Sequence, residues 1–536
     1  MAAPAATTTT MAVTSGGSTV TTVAAGNVVT LTATVKAGAT AVTIGQVNFC
    51  DASAAYCTDI HLLGTRQLTS AGTAVLKFIP GVRSHSYKAV FAGTPNGTSV
   101  DAGSTSSTVA LTVTATVKYP TTTTIAKSGN GAGNYSLTAT VTGPGGAASQ
   151  TGSVSFLDTS NGNSVLGTAE LGTSFTYLSF LNSSSPATGA EPQSVVVGDF
   201  NGDGIPDLAV ANYASGTVTI LLGNGNGTFT QAANSPVTVG EYPISITVGD
   251  FNGDGIPDLA VANNGNGTVT ILLGNGNGTF TQEANSPVTV GYYPISIAVG
   301  DFNGDGISDL AVTNGYSVTV FLGNGNGTFT QAATVYTLGL DLTSVVVGDF
   351  NGDGIPDLAV ADSGTGKVAI LLGNGNGTFT QAATSQGASG STPTSVAVGD
   401  FNGDGILDLA VTNGDASTVT ILLGNGNGTF TFAQTLYNLA TGEGSIAVGD
   451  FNGDGIPDLA VTNIPATGSG TVTIMLGVGN NGIYVYGTFT KTMGTTGTTE
   501  TGYYPISIAV GDFNGDGISD LATANELSDT VTVVLS

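Results

Sequence analysis

Runs of Val, Thr, Ile and Ala, separated by Gly- and Asn-rich turns, extend along almost the whole chain. Examples are "VVTLTATV" at 28–35, "PDLAVAN" at 206–212 and "TVTILLG" at 217–223. These residue types favour strands. No stretch of ten or more residues shows a helical period. The pattern predicts an all-β protein.

The apolar runs form a repeat that begins near residue 172. The motif "DFNGDGIPD" and close variants start at 199, 250, 301, 349, 400, 450 and 512, so the spacings are 51, 51, 48, 51, 50 and 62 residues. Each unit divides into four strand-like runs. Four short antiparallel strands repeated about every 50 residues predict the blades of a β-propeller, and seven copies predict seven blades. A solenoid is the competing interpretation.

The two ends of the repeat region favour the propeller. The last unit stops after its third strand at 530–536, and "FTYLSFLNSSSPATGAEPQS" at 175–194 aligns with the fourth strand of the first unit at 229–245. A strand from the front can therefore complete the last blade, an arrangement for which a solenoid has no use. We predict a propeller over 174–536, with 174–190 completing the last blade.

A second repeat occupies the N-terminal third. "VVTLTATV" at 28–35 matches "YSLTATV" at 135–141, and "IGQVNFCD" at 44–51 matches "TGSVSFLD" at 151–158. The first unit, 1–117, has about seven short strands and is predicted to be an Ig-like sandwich. The second unit, 118–173, lacks the last strands and is predicted to leave an open sheet edge.

The nine-residue motif has the chemistry of a calcium loop. Ca²⁺ takes six to eight oxygen ligands, and alternate positions 1, 3 and 5 turn their side chains toward one centre. Glycine at position 6 permits the turn that aims the carbonyl of position 7 inward, and Asp at position 9 closes the shell. We predict about seven Ca²⁺ ions, one per blade, with these ligands: Asp199, Asn201, Asp203, Ile205 and Asp207; Asp250, Asn252, Asp254, Ile256 and Asp258; Asp301, Asn303, Asp305, Ile307 and Asp309; Asp349, Asn351, Asp353, Ile355 and Asp357; Asp400, Asn402, Asp404, Ile406 and Asp408; Asp450, Asn452, Asp454, Ile456 and Asp458; Asp512, Asn514, Asp516, Ile518 and Asp520.

The residue types in these loops favour calcium over other metals and over a metal-free turn. The ligand set contains no His or Cys, which argues against zinc and copper, and Mg²⁺ prefers an octahedral shell that keeps several waters. A metal-free acidic turn is the structural alternative. Three carboxylates in one small loop repel one another unless a cation or protons intervene. Seven copies at fixed spacing favour the metal.

The net charge of −27 is concentrated in the repeat region. Residues 1–171 hold seven bases and five acids, whereas 172–536 hold Lys367 and Lys491 against 31 acids. So few bases cannot neutralise a phosphate backbone, which makes nucleic acid and anionic membrane improbable partners. Cations are the expected ones.

At these motifs the sequence resembles known families. Residues 172–536 resemble the FG-GAP/VCBS repeat family, the blade type of the integrin α-subunit propeller, through "GDFNGDGIPDLAV". The resemblance implies the same calcium ligand set in a hairpin between the first two strands of each blade. Residues 5–172 resemble bacterial Ig-like repeats through "VTLTATV", "GQVNF" and "LLGT".

The composition suggests export. No apolar run reaches the ~20 residues that span a bilayer, so we expect no membrane insertion. The first ten residues lack the features of a signal peptide, but the Thr/Ser/Gly-rich, Lys-poor composition is typical of secreted bacterial proteins. We therefore expect a secreted or cell-surface chain whose signal was removed. In that setting Cys50 and Cys57 are predicted to form a disulfide.

Catalysis accounts for the sequence less well than binding does. The histidines, His61 and His85, and both cysteines lie outside the predicted propeller, so no Ser-His-Asp set can form there. We expect no enzyme. A carbohydrate-active enzyme that uses carboxylates is the less favoured alternative.

The loops that vary between copies are the candidate partner surface. Loops between strands 2–3 and 4–1 share one face of a propeller and differ from unit to unit, and seven tyrosines lie on or near them: Tyr213, Tyr242, Tyr292, Tyr293, Tyr316, Tyr503 and Tyr504. Tyrosines beside acids and amides can bind a glycan or protein; the alternative is that they only cover the blade ends. We predict an extracellular binding or adhesion protein. A self-assembling structural subunit, with strand exchange at the truncated Ig-like unit, is the second hypothesis.

Overall fold

The structure is a computed structural model that divides the chain into two compact units. The first contains Met1–Thr114 and Asn182–Leu535, and the second contains Ala115–Leu181 with Ser536. The residues described below are 4–52, 61–81, 83–94, 101–114, 122–129, 135–142, 153–158, 164–170, 181–339, 341–382, 386–387, 392–436, 444–453, 455–464, 470–477 and 503–536.

The all-β prediction is confirmed. Within these residues the one helical element described over its whole length is a 3-10 turn at Glu526–Ser528. The remaining regular structure consists of short strands, most of them antiparallel, as expected for a chain dominated by Val, Thr, Ile and small residues.

Residues 4–114 form a two-sheet sandwich, here called the N-terminal sandwich. One sheet has the order β2-β1-β4-β5, with β8 also paired to β4, and the other has the order β3-β11-β9-β6-β7, with β10 paired to β9. The strands are β1 (Thr7–Ser15), β2 (Ser18–Thr19), β3 (Thr22–Ala24), β4 (Val29–Ala37), β5 (Thr40–Ala41), β6 (Gln46–Asp51), β7 (Leu62–Gln67), β8 (Thr73–Phe78), β9 (Ser84–Phe91), β10 (Ser104–Thr105) and β11 (Val109–Thr114).

One apolar core joins the two sheets of this sandwich. In β4 every second side chain points inward, so Val29, Leu31, Ala33 and Val35 are buried while the threonines between them are half-buried. Phe49, Tyr87 and Leu111 from the facing sheet complete the same cluster.

The second unit contains two separate antiparallel pairs among its described residues. β12 (Thr122–Gly129) pairs with β13 (Tyr135–Thr142), and β14 (Ser153–Asp158) pairs with β15 (Ser164–Glu170).

The repeat region forms seven antiparallel sheets in the part of the chain that is described, here called repeat sheets 1 to 7. Their strands, in chain order, are β16 (Leu181–Ser184), which belongs to sheet 7; β17 (Pro192–Gly198), β18 (Asp207–Asn212), β19 (Thr217–Gly223), β20 (Phe229–Gln231) and β21 (Val237–Thr238) in sheet 1; β22 (Pro243–Gly249), β23 (Asp258–Asn263), β24 (Thr268–Gly274), β25 (Phe280–Gln282) and β26 (Val288–Thr289) in sheet 2; β27 (Pro294–Gly300), β28 (Asp309–Asn314), β29 (Ser317–Gly323) and β30 (Phe329–Thr337) in sheet 3; β31 (Leu342–Gly348), β32 (Asp357–Asp362), β33 (Lys367–Gly373), β34 (Phe379–Gln381) and β35 (Gln386–Gly387) in sheet 4; β36 (Pro393–Gly399), β37 (Asp408–Asn413), β38 (Thr418–Gly424) and β39 (Phe430–Leu436) in sheet 5; β40 (Ile446–Gly449), β41 (Asp458–Asn463) and β42 (Thr471–Met475) in sheet 6; β43 (Pro505–Gly511), β44 (Asp520–Asn525) and β45 (Thr530–Leu535) in sheet 7.

The register gives each repeat sheet two distinct ends. In sheet 1, Gly198 pairs with Asp207 at one end and Pro192 pairs with Asn212 at the other. The motif "DFNGDGIPD" connects the strands at the first end, and the 2–3 and 4–1 loops lie at the second. The same register recurs in sheets 2 to 5 and in sheet 7.

Neighbouring repeat sheets are joined by apolar clusters and by backbone contacts. The second strand of sheet 1 is buried along its length, and Val210 and Leu221 of sheet 1 share a cluster with Phe513 and Ala522 of sheet 7. In sheet 7 the strand order is β16-β45-β44-β43, so a strand from before the first repeat is the outer partner of the last strand of the chain.

Candidate metal loops and the opposite sheet end

The seven loops at 199–207, 250–258, 301–309, 349–357, 400–408, 450–458 and 512–520 are here called acidic loops 1 to 7. Their side-chain oxygens accept hydrogen bonds from the loop's own backbone. In loop 2, Asp250 Oδ2 accepts from the Gly255 N–H at 2.9 Å, Asn252 Oδ1 from Asp254 at 2.9 Å, and Asp254 Oδ1 from Ile256 at 2.8 Å. The glycine at position 6 has a positive φ, +83° in Gly255, a conformation that favours glycine.

The ninth-position aspartates connect each loop to the third strand of its sheet. Asp207 accepts from the Phe200 N–H at 2.8 Å through Oδ2 and from the Gly223 N–H at 2.8 Å through Oδ1. Asp258, Asp309, Asp357 and Asp408 make the same pair of bonds. These carboxylates are fully buried. They therefore hold the loop in place in addition to any role as ligands.

Burial raises the pKa of these carboxyl groups. It raises the pKa of Asp207, Asp258 and Asp408 to about 7 and that of Asp309 to about 8, with the loop's other carboxylates adding to the shift and the backbone donors opposing it. Loss of hydration disfavours the charged form of a buried acid. In loops 1, 2, 3 and 5 the protonated form of this carboxyl group therefore persists to about neutral pH when no cation is bound.

The phenylalanine at position 2 joins one repeat sheet to the next. Phe200 packs edge-to-face on Phe280 of sheet 2 with ring centroids 5.5 Å apart, and its carbonyl oxygen accepts from the Gly278 N–H at 2.9 Å. The same contacts link Phe513 of sheet 7 to Phe229 and Gly227 of sheet 1. Sequence reasoning assigned this position no role, although Phe stands there in all seven copies.

The donor set of the loops fits a hard cation. Each described loop presents carboxylate, amide and backbone oxygens and no soft ligand. In loop 1 the Oδ1 atom of Asp199 is buried without a hydrogen-bond partner, so it is available to a ligand. Among the described residues no three His, Cys, Asp or Glu side chains form a metal-holding group. The predicted ligands of six loops are described in full, and Asp454 of loop 6 lies outside the described residues.

The opposite end of the repeat sheets presents most of the predicted tyrosines. Tyr292 is 88% exposed and Tyr293 is 64% exposed. Tyr242, Tyr316, Tyr503 and Tyr504 are also exposed, and Tyr213 is half-buried. Tyr213 and Tyr242 stack with their ring centroids 4.7 Å apart. All seven belong to the loops of sheets 7, 1, 2 and 3.

The 4–1 turns at this end share an unusual backbone conformation. Six residues at one equivalent position have left-handed φ angles although none is glycine: Glu191, Tyr242, Tyr293, Asp341, Thr392 and Tyr504. A side chain in this conformation costs free energy and is uncommon outside Gly, Asn and Asp. In five of the six, all but Tyr293, the carbonyl oxygen of this residue accepts a hydrogen bond from the 2–3 loop of its own sheet, as Tyr242 does from the Asn264 N–H at 2.9 Å. This fixed geometry could not be predicted from the residue types.

The remaining predicted site residues lie outside the repeat sheets. Cys50, at the end of β6, is disulfide-bonded, and Cys57, its predicted partner, lies outside the described residues. His85 stacks on Tyr87, and its Nε2 lies 2.7 Å from the Gly81 carbonyl oxygen.

The repeats match a known family. The model of the FG-GAP-like repeat matches residues 199–261, 250–312, 301–360, 349–411 and 400–461, and the model of the FG-GAP repeat matches residues 504–534. Together these matches cover more than half of the chain. This chain is an FG-GAP-repeat protein. The acidic loops fall within the matched segments, and the described residues of these segments form antiparallel sheets. The comparison with curated proteins found no match.

Three solved structures share a distant likeness with this FG-GAP-repeat protein. A functionally unknown protein from Desulfotomaculum acetoxidans has 12% identity and a TM-score of 0.35, over 52% of this chain and 74% of that one. A protein from Lactobacillus plantarum has 14% identity and a TM-score of 0.42, over 53% and 80%. A candidate 6-phosphogluconolactonase from Bacteroides uniformis has 15% identity and a TM-score of 0.44, over 61% and 94%. At these TM-scores the likenesses support no functional conclusion.

In the described part of this FG-GAP-repeat protein, no helix has the length and hydropathy needed to cross a bilayer.

Proposed function

We propose that this protein is a secreted or cell-surface binding or adhesion protein. Its repeat sheets are the blades of a calcium-stabilised seven-bladed propeller, its N-terminal sandwich and second unit are Ig-like modules, and it recognises a glycan or a protein at the tyrosine-bearing sheet ends. Calcium, when bound in the acidic loops, supplies positive charge that offsets the repulsion among each loop's carboxylates. Positions 1, 3, 5, 7 and 9 of each loop would hold it.

The contacts between repeat sheets support the seven-bladed arrangement. Ser194 of sheet 1 accepts through Oγ from the Ile246 N–H of sheet 2 at 3.3 Å, and Ser507 of sheet 7 accepts from the Val195 N–H of sheet 1 at 3.2 Å. The last sheet thus contacts the first through the same kind of bond that joins sheet 1 to sheet 2. A linear stack of repeats predicts no contact of that kind.

The observation that carries the binding proposal is the group of exposed tyrosines on fixed turns. Tyr242, Tyr293 and Tyr504 occupy left-handed positions that would cost less with glycine. Residues held in unfavourable backbone conformations cluster at functional sites. The exposed ring of Tyr242 follows Glu241 in the chain. A stacking surface next to a hydrogen-bond acceptor is the combination that sugars and polar protein surfaces require.

A binding screen with paired variants tests this proposal. The full-length protein is applied to a glycan array and to immobilised extracellular matrix proteins, alongside the Tyr292→Ala/Tyr293→Ala double variant. Phe432→Ala is the matched control, because Phe432 is 51% exposed but lies on β39 rather than on a sheet-end loop. We expect at least tenfold weaker binding of the double variant and unchanged binding of the control, since each buried aromatic contact contributes on the order of 1 kcal/mol or more.

Two results would contradict the binding proposal. Equal binding by the double variant and the wild type would exclude the tyrosines as the contact surface. Cleavage of a bound glycan, detected by product analysis, would favour the carbohydrate-active enzyme instead.

The second unit favours one further candidate, a self-assembling structural subunit. Its described strands form two separate two-stranded pairs, each of which has edges that could accept a strand from another chain. Electron microscopy of the purified protein would show filaments in that case. Monodisperse monomers at high concentration would contradict it.

A further inference from the structure

The N-terminal sandwich lies on the acidic-loop end of the repeat sheets, within the same compact unit. Lys77 Nζ donates to the Gly202 carbonyl oxygen of loop 1 at 2.6 Å, and Gln46 Nε2 donates to Ser308 Oγ of loop 3 at 3.2 Å. Gln67 Nε2 donates to the carbonyl oxygen of Gly306, also in loop 3. These contacts are made by side chains of β6, β7 and β8.

The sandwich covers some acidic loops and leaves others open. The space around the glycine at position 6 of each loop shows this difference. A Cβ atom on Gly204 of loop 1 would lie 2.7 Å from Val28 Cγ1, and one on Gly517 of loop 7 would lie 2.6 Å from Gly81 Cα. A Cβ atom on Gly354 of loop 4 or Gly455 of loop 6 would meet nothing within 4 Å. The seven loops are nearly identical in sequence, but their surroundings are not.

Three bases of the sandwich and parts of several acidic loops line one cavity of about 940 Å³. The bases are Arg66, Lys77 and Arg83, and the first-position aspartates Asp199, Asp250, Asp450 and Asp512 line the same cavity. The sandwich therefore places its positive charge against the most acidic surface of the chain. Charges that face each other across a partly enclosed cavity interact more strongly than they do in water.

Arg66 acts on two particular loops. Burial lowers the pKa of Arg66, and the negative charges of Asp199 and Asp250 oppose that shift. Burial raises the pKa of Asp199, and the positive charge of Arg66 is among the effects that oppose that shift. The guanidinium donates through Nη1 to the Thr65 carbonyl oxygen at 2.9 Å. Among the described residues it forms no ion pair, and Asp199 Oδ1 is left without a hydrogen-bond partner. Both groups are therefore available to a further partner.

We propose that Arg66 and calcium compete for acidic loops 1 and 2, so that Arg66 lowers the calcium affinity of these two loops and stabilises them when the metal is absent. Both cations are attracted to the same first-position carboxylates and repel each other. Arg66 is held in place by β7, so its charge is present whether or not calcium is bound. The coupling is reciprocal: calcium in loops 1 and 2 weakens the attachment of the sandwich to them. The proposal rests on the calcium sites proposed above.

The test compares Arg66→Gln with Arg83→Gln in the full chain. Both variants remove one positive charge from the same cavity, but the charge of Arg83 acts on His85 and Tyr87 of its own domain. Calcium binding is measured by titration against a chromophoric chelator. We expect two of the sites to bind roughly tenfold more tightly in Arg66→Gln and the other sites to be unchanged. Arg83→Gln should change the calcium affinities much less than Arg66→Gln does. Arg66→Lys, which keeps the charge, restores most of the wild-type behaviour.

Thermal unfolding provides a second, metal-free measurement. In excess chelator Arg66→Gln should unfold at a lower temperature than Arg83→Gln, since it lacks the charge that offsets Asp199 and Asp250. In saturating calcium this difference should vanish or reverse. Equal calcium affinities and equal unfolding temperatures for the two variants would overturn the inference while leaving the calcium sites intact. A wild-type chain that binds no calcium would overturn the calcium proposal and this inference together.

Discussion

Each ninth-position aspartate is a predicted calcium ligand, and in most loops the same carboxylate also accepts hydrogen bonds from the backbone. Asp258 accepts from the backbone of both Phe251 and Gly274 while it belongs to the predicted ligand set. An ionised carboxylate has about four acceptor sites, so two backbone bonds leave two for a cation. One residue can therefore close the hairpin and still serve a metal.

Replacement of Asp258 by Asn tests the structural role of the buried carboxylate. One acceptor becomes an N–H donor facing a backbone N–H, which leaves a buried donor unpaired and costs about 1–3 kcal/mol. We expect that loss in chemical denaturation of the metal-free protein at a pH above about 7, where the carboxyl group of Asp258 is ionised and both oxygens accept. Asp254→Asn in the same loop is the control, because the fifth position is not buried. Equal stabilities of the two variants would contradict the role of the two backbone bonds.

The raised pKa values predict the pH dependence of the metal-free protein. Burial raises the pKa of Asp207, Asp258 and Asp408 to about 7, above the value of about 3.9 in an unfolded chain. The folded state then binds more protons than the unfolded state, and the stability this contributes is lost as pH rises through about 7. Unfolding temperatures measured in chelator should therefore fall between about pH 5 and pH 8. A rise in the unfolding temperature over that pH interval would contradict the raised pKa values. In saturating calcium the fall should be absent, because the metal replaces the protons.

At the scale of single residues, the sequence predicts which side chains carry candidate ligand oxygens better than it predicts which residues those side chains contact. Spacing alone predicts ligand oxygens at positions 1, 3, 5 and 9, and this stays a prediction. It does not show that Asp207 bonds to Gly223, because that contact depends on how the third strand returns beside the loop. Phe200 was missed for a similar reason: its partner Phe280 belongs to the next repeat sheet.

At the scale of elements, the acidic loops and the 4–1 turns at the opposite sheet end differ in which residues occupy positions with a positive φ. The acidic loops place glycine wherever φ is positive, whereas the 4–1 turns place Tyr, Glu, Asp or Thr at a positive φ. Strands were predictable from Val- and Ile-rich runs. The sequence predicts the fourth strand as one run. In sheet 1 it is divided into Phe229–Gln231 and Val237–Thr238, because the segment between them does not pair with the third strand.

Paired substitutions at Tyr293 measure the strain in these turns. Tyr293→Gly and Tyr293→Ala both remove the exposed ring, but only glycine adopts the left-handed conformation without steric cost. We expect the glycine variant to be more stable than the alanine variant by about 1 kcal/mol, and both to lose binding to the partner. If the alanine variant were equally or more stable in denaturant titrations, the turn would not be strained.

At the scale of the whole molecule, the repeat length and the incomplete last unit predict a ring of sheets, which stays a prediction. The structure shows an apolar cluster and a hydrogen bond between sheets 7 and 1. The position of the N-terminal sandwich was not predictable. The five bases of the sandwich and the acidity of the repeats are visible in the sequence. The contacts of Lys77 and Gln67 with loops 1 and 3 are not, because they depend on how the two parts pack. Nearly identical loops thereby acquire different surroundings.

The most direct test is the calcium content of the purified full-length protein, measured by native mass spectrometry before and after chelation, with the unfolding temperature recorded in both states. We predict about seven calcium ions per chain, one for each acidic loop, and a fall of many degrees in the unfolding temperature when they are removed, because a ligand that binds only the folded state stabilises it. A chain that binds no calcium and unfolds at the same temperature with and without chelator would contradict the calcium-stabilised propeller.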